Sequence, residues 1–121
     1  MLGTSSLSFP KSRRLTRASE FEHVKQHGYA ERGRLMTLSL LAIKNTGPCR
    51  AGFITTRAIG SATIRNRIRR WLREIVRKHQ HDLREDFWMV IIARRDAANT
   101  SYRALEDEWL RLAKRASILA L

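Results

Sequence analysis

Residues 64–78 read IRNRIRRWLREIVRK, seven basic side chains and a single acid, Glu74, in fifteen positions. Successive residues of an α-helix turn by about 100°, which places Ile68, Trp71, Leu72 and Ile75 within about ±80° of Ile64. That apolar sector is the half of a helix that packs on a sheet. Arg65, Asn66, Arg69, Arg70, Arg73 and Arg77 fall on the opposite arc, between about 100° and 240°, as one basic strip. Glu74 lies beyond the strip, four residues from both Arg70 and Lys78, and pairs with one of them on this spacing. The periodicity predicts a helix over residues 62 to 80.

Strands are expected on both sides of this helix. RLMTLSLLAI, residues 34–43, alternates, with Met36, Leu38 and Leu40 on one side and Thr37 and Ser39 on the other. Asn45, Gly47 and Pro48 make a turn. RAGFITTR, residues 50–57, reads as a second strand, with Ala51, Phe53 and Thr55 on one face and Arg50, Gly52, Ile54 and Thr56 on the other. Two neighbouring strands joined by a short turn imply an antiparallel pair. DFWMVIIAR, residues 86–94, is a continuous apolar run, as expected of a strand buried on both sides. Upstream, LTRASEFEHVKQHG suggests a helix capped by Thr16 or Ser19 and stopped by Gly28. Downstream, TSYRALEDEWLRLAKR, residues 100–115, places Leu105, Trp109, Leu112 and Ala113 at helical spacing behind a Thr100 or Ser101 cap. The order helix, strand, strand, helix, strand, helix gives an α+β class, a two-layer α/β sandwich.

A chain of 121 residues makes one domain, and the Gly-, Ser- and Pro-containing residues 1–10 read as a loose, flexible tail. No apolar run approaches the ~20 residues of a membrane span, and the first residues lack the hydrophobic stretch of a secretory signal. The single cysteine, Cys49, has no partner for an internal disulfide. A reduced, cytoplasmic location fits best. The formal net charge is +13, and it is segregated. Residues 1–81 hold 17 Lys/Arg against 4 Asp/Glu, whereas residues 82–121 hold 7 of each. Charge that served only solubility need not be so divided, and a polyanion, nucleic acid rather than membrane, is the natural partner.

The strip itself has two readings. A solvated helix face usually mixes signs to gain support at four-residue spacing. Five arginines and an asparagine without an interleaved acid forgo that support. Guanidinium groups bond phosphate in pairs and stack on bases, and Asn66 offers both donor and acceptor to a base edge or ribose. A phosphate backbone satisfies such a strip; a plain solvated face is the alternative. Gly60-Ser61-Ala62-Thr63, at the junction of strand and helix, allows close backbone approach by an anion, or is an ordinary loop and cap.

RAGFITTRAIGSATIRNRIRRWLRE, residues 50–74, resembles the signature region of the bacterial ribonuclease P protein family, whose hallmark Arg-Asn-Arg is here Arg65-Asn66-Arg67. RLTRASEFEHVKQHG is similar to the family's first helix, FWMVIIARRDAA to its last strand and following turn, and SYRALEDEWLRLAKR to its final helix. The resemblance implies a sandwich like domain 2 of ribosomal protein S5, with a left-handed βαβ crossover, the opposite of the usual connection. It implies a ribonucleoprotein that removes the 5′ leader of precursor tRNA by hydrolysis, with Mg²⁺ held by the RNA subunit, which does the chemistry. On this resemblance Arg65, Asn66, Arg67, Arg69, Arg70 and Arg73 face the catalytic RNA. A cleft between the first helix, one sheet face and the arginine helix receives the leader. Phe21 stacks there on an unpaired base, Ile54, Thr56, Thr37 and Ser39 line the floor, and Arg65 and Asn66 border it. Two positions depart from the family. Lys25 stands where a second aromatic is frequent, and Arg57-Ala58 where two basic residues are usual, so phosphate attraction is redistributed along the cleft. No obligate protein partner and no membrane are implied.

Two other classes remain open at this level. A protein-borne nuclease needs clustered carboxylates for metal ions; the acids at 82–86 and 106–108 read as solvated faces, and His23, His27, His79 and His81 lack a partner set. A structural, ribosomal-type RNA-binding protein shares the charge pattern without a part in cleavage.

Overall fold

The apolar run near the C-terminus forms the centre of the sheet. Its residues Phe87–Ala93 are a strand, with Met89, Val90 and Ile91 buried, in a computed structural model that describes residues 11–119. The tail expected over residues 1–10 lies outside the described residues. In chain order the elements are α1 (Ala18–His27), β1 (Tyr29–Arg32), β2 (Met36–Ala42), β3 (Arg50–Ile54), α2 (Ala62–His79), β4 (Phe87–Ala93) and α3 (Tyr102–Arg115). Short 3₁₀ turns occupy Lys11–Arg13, Gln80–Asp82 and Arg95–Asn99.

The sheet order is β1-β2-β4-β3. β2 and β3 are therefore not the antiparallel pair that their short connection suggests. β4 inserts between them, antiparallel to β2 and parallel to β3, and β3–α2–β4 is a βαβ unit. The physical reason is burial: β4 is apolar on both faces and gains most from two neighbours, whereas β3 carries Arg50 and ends at Ile54, short of residue 57. β1 does not show in the periodicity at all. Three of its four residues are exposed, and it is held as an edge strand by its hairpin with β2, in which Tyr29 faces Leu40 and Arg32 faces Thr37.

One face of the sheet carries the main core. Met36, Leu38, Leu40, Ala51, Met89 and Ile91 pack there beneath Ile68, Leu72 and Ile75 of α2 and Leu105, Trp109 and Leu112 of α3. Val76 is also buried, so the packed sector of α2 is rotated slightly toward it from the arc centred on Ile64. The other face is only partly covered, by α1, whose Val24 joins Leu15 and Val90 in a small second cluster.

The ends of the elements show where local rules yield to particular partners. α1 begins after Arg17, not after Thr16 or Ser19. The Glu20 carboxylate accepts the N–H groups of Thr16 and Arg17 at 3.0 Å each, and so satisfies the orphan donors from inside the helix. Gly28 ends α1 where any Cβ would stand 2.2 Å from the Leu40 carbonyl oxygen. Ser61 caps α2 by accepting the N–H of Ile64, and Ser101 caps α3 by accepting that of Ala104. Glu74 pairs with Arg77, three residues on, rather than with Arg70 or Lys78, because Lys78 is drawn across to Glu106 of α3 at 3.0 Å.

Several acids expected on solvated faces are instead structural. Asp86 accepts the N–H groups of Thr46 and Gly47 and ties down the turn after β2. Glu106 joins α3 to α2 through Lys78 and His79. Glu108 is 3% exposed and accepts the N–H groups of Leu35 and Met36 at 2.7 and 2.9 Å, which clamps the β1–β2 hairpin onto α3. Cys49 is buried, and burial pushes its thiol up to about 12, so it is not a nucleophile near neutral pH. Among the described residues no helix is long and apolar enough to cross a membrane.

Candidate nucleic-acid interface

Strand pairing lays out the open face of the sheet in rows. In register across the four strands, Ala30, Ser39, Val90 and Gly52 form one row, and Arg32, Thr37, Ile92 and Ile54 form the next. α1 sits over the first. The Phe21 ring rests against Gly52, where a Cβ would come within 2.4 Å of it, so the glycine creates the aromatic's seat. The second row stays accessible. At about 4.8 Å per strand it is a groove about 14 Å long across the sheet.

One end of the groove meets α2. Beyond Ile54 come Thr55, Thr56 and Arg57, the last two exposed. Arg69 donates to the Thr55 hydroxyl and to the Asn66 side-chain oxygen, the latter at 3.0 Å, which fixes the strip against the end of β3. Arg65, Asn66, Arg69, Arg70 and Arg73 therefore share a surface, with Arg65 and Asn66 one turn before Arg69.

Arg67 does not join them. It turns the other way, its guanidinium 5.2 Å from the Trp71 ring centre and donating to the Ala98 carbonyl. At about 300° on the helical wheel it belongs with the apolar sector. Its motif neighbours face outward along the strip; Arg67 braces α2 against the turn after β4.

The strip gains a member that periodicity does not indicate. Arg14 pairs with Ala51 as an extension of the sheet beyond β3, and this places it beside α2. Burial, and then the like charges of Arg14 and Arg69, lower the pKa of Arg73. The Nε atoms of Arg14, Arg65 and Arg73 are buried without a hydrogen-bond partner. Cations held together with unsatisfied donors are costly in the free protein, and a phosphate backbone relieves both terms.

Lys25, Thr37 and Ser39 lie at the other end of the groove, with Arg32, Ile92 and Arg94, around a pocket of about 330 Å³. Arg32 and Arg94 do not stand out in the sequence. The two-residue step from Ile92 to Arg94 holds the only signal, and the apolar run before it hides which of its faces is open. The histidines do not converge on a site. His23 and His27 meet with tilted rings, their centres 5.0 Å apart, and His79 stacks on Trp109 and bonds Glu106. Among the described residues no three His, Cys, Asp or Glu side chains gather in a way that could hold a metal ion.

A mixed sheet with one packed face, one open face and an arginine strip beside its edge makes this a basic protein of the α/β-sandwich class, with a surface whose chemistry suits a polyanion. The family described as Ribonuclease P matches residues 9–117, and the chain belongs to it. The ribonuclease P protein component of Syntrophomonas wolfei is 33% identical over 112 residues, 91% of this chain and 92% of the relative. That of Finegoldia magna is 35% identical over 107 residues, 88% of this chain and 93% of the relative. The fold matches the RNase P protein of Staphylococcus aureus with a TM-score of 0.84, over 90% of this chain and 99% of that one, at 21% identity. It matches that of Thermotoga maritima with a TM-score of 0.76, over 84% and 96%, at 24% identity.

Proposed function

We propose that this chain is the protein subunit of ribonuclease P, acting with a catalytic RNA in the cytoplasm to remove the 5′ leader of precursor tRNA. One observation carries the reading: a strip of arginines with unpartnered donors lies at the mouth of a groove open along the sheet. Arg14, Arg65, Asn66, Arg69, Arg70 and Arg73 bind the catalytic RNA. The groove holds the single-stranded leader, with Phe21 stacked on a base, Ile54 and Thr56 beneath it, and Arg57, Arg65 and Asn66 at its edge.

In this reading the RNA subunit holds Mg²⁺ and performs the hydrolysis. The protein neutralises phosphate charge and fixes the leader, which strengthens substrate binding and reduces the Mg²⁺ needed. No residue of the chain is assigned a part in bond breaking. The test is reconstitution. Precursor tRNA is incubated with protein alone, with cognate RNA alone, and with both at low Mg²⁺. Cleavage only when RNA is present, and faster with protein, is the expected result; efficient cleavage by the protein alone overturns it.

A further inference from the structure

The groove has a second charged end. Lys25 of α1, Arg32 at the end of β1 and Arg94 just after β4 converge on the pocket floored by Thr37, Ser39 and Ile92. They come from three separate elements, so no single helix periodicity explains their meeting. All three are exposed. Neither Lys25 nor Arg32 has a side-chain partner among the described residues, and Arg94 gives one N–H to the Gly33 carbonyl at 2.9 Å. Among the described residues no carboxylate lines the pocket. Glu31, the nearest acid in sequence, alternates to the other side of β1 and is held by Arg115 at 2.7 Å. Glu22 is engaged by Gln26, one turn along α1.

The hairpin that carries Arg32 is fixed rather than loose. Glu108 holds its turn, and Arg115 also donates to the Arg32 carbonyl at 2.9 Å. Three cations and two hydroxyls around one small pocket, with no aromatic side chain in its lining, suit a phosphate diester better than a base, which would seek an aromatic face. The pocket lies on the Arg32–Thr37–Ile92–Ile54 row, so a strand entering beside Phe21 and following the row reaches it.

We infer that Lys25, Arg32 and Arg94 form a phosphate subsite for the leader strand, at the end of the groove away from the arginine helix. This rests on the leader-binding reading above. The leader is then gripped at two places with different chemistry: a base at Phe21 and a backbone phosphate at the hairpin.

The experiment uses the assembled ribonucleoprotein, wild type and Lys25→Gln/Arg32→Gln, with precursor tRNAs of increasing leader length and with mature tRNA. Thermal unfolding of the free proteins checks that both are equally folded. For the wild type, affinity should rise with leader length in two steps. The variant should lose the second step, about tenfold, and bind short-leader substrate and mature tRNA unchanged. Its salt slope with the long leader should fall by about 0.7 for each phosphate it no longer neutralises. A single methylphosphonate linkage at the critical leader position should cost the wild type the same factor and the variant nothing further. A variant that binds every leader like the wild type overturns the subsite, as does one that weakens equally on mature tRNA. A wild-type enzyme that does not distinguish leader-bearing from mature tRNA overturns the leader reading itself.

Discussion

Phe21 and Gly52 show how two residues in van der Waals touch shape the open face of the sheet. The ring occupies the space a side chain at residue 52 would need, so a methyl there must displace it. Phe21→Ala is expected to weaken binding of leader-bearing precursor by about 1–3 kcal/mol while leaving mature tRNA unaffected. Gly52→Ala keeps the ring but shifts it. It should lose a comparable part of that preference and lower the unfolding midpoint through overpacking of about 1–3 kcal/mol. Parallel titrations of the two substrates measure both; an unchanged preference in Gly52→Ala would show that the ring's position is immaterial. Single residues are legible where local alternation decides, as with the buried Met36, Leu38 and Leu40. They are not where a partner distant in sequence decides. Glu108 reads as one more acid on an exposed helix, and only the arrival of the β1–β2 turn makes it a buried clamp. Arg67 sits in a motif of outward-facing residues and points away from them.

At the scale of elements, α2 is the most readable part of the chain because its two faces differ so sharply. The strip and the apolar arc both lie where a turn of about 100° per residue puts them, with Val76 as the one addition. Arg69→Ala combined with Arg73→Ala removes two of the crowded guanidinium groups. The double variant should bind the catalytic RNA more weakly, and its plot of log affinity against log salt should be shallower by about 1 to 2. Equal slopes would return the strip to a solvated face. β1 is illegible for the converse reason. An exposed edge strand of four residues has no apolar alternation to display, and it exists because β2 supplies its hydrogen bonds. The expected pairing of β2 with β3 fails because nearness in sequence favours hairpins, while the competing strand, β4, lies beyond an 18-residue helix.

Across the whole molecule acids join the elements. Glu108 ties α3 to the β1–β2 hairpin, and within the helical layer Glu106 links α3 to both Lys78 and His79 of α2. The His79 hydrogen bond chiefly, with Lys78 beside it, holds the Glu106 carboxyl below the ordinary 4.5 despite partial burial. A carboxyl whose pKa is depressed on folding stabilises the fold above its unfolded pKa, and that contribution is lost as pH falls through the folded value. Urea unfolding should therefore find Glu106→Gln less stable than the wild type at about pH 6, with the gap narrowing as pH drops below about 4.5. A gap independent of pH would mean that shape rather than charge joins the two helices. The segregated charge is legible at this scale from the order of charged residues along the chain. Which side of the sheet stays open is not, since that depends on α1 being too short to cover it.

The central place of β4 has a consequence for the order in which the protein comes into being. Synthesis delivers α1, β1, β2, β3 and the arginine helix before the strand that joins β2 to β3. About forty residues separate the end of β3 from the end of β4, or about 2 to 8 s of elongation. During that interval β2 and β3 have no shared neighbour, and the strongly basic two thirds of the chain is already made. The groove cannot exist until its Ile92 has been added between Thr37 and Ile54. On the proposed reading, the capacity to recognise a strand thus arrives after the chain's attraction for polyanions, and not with it.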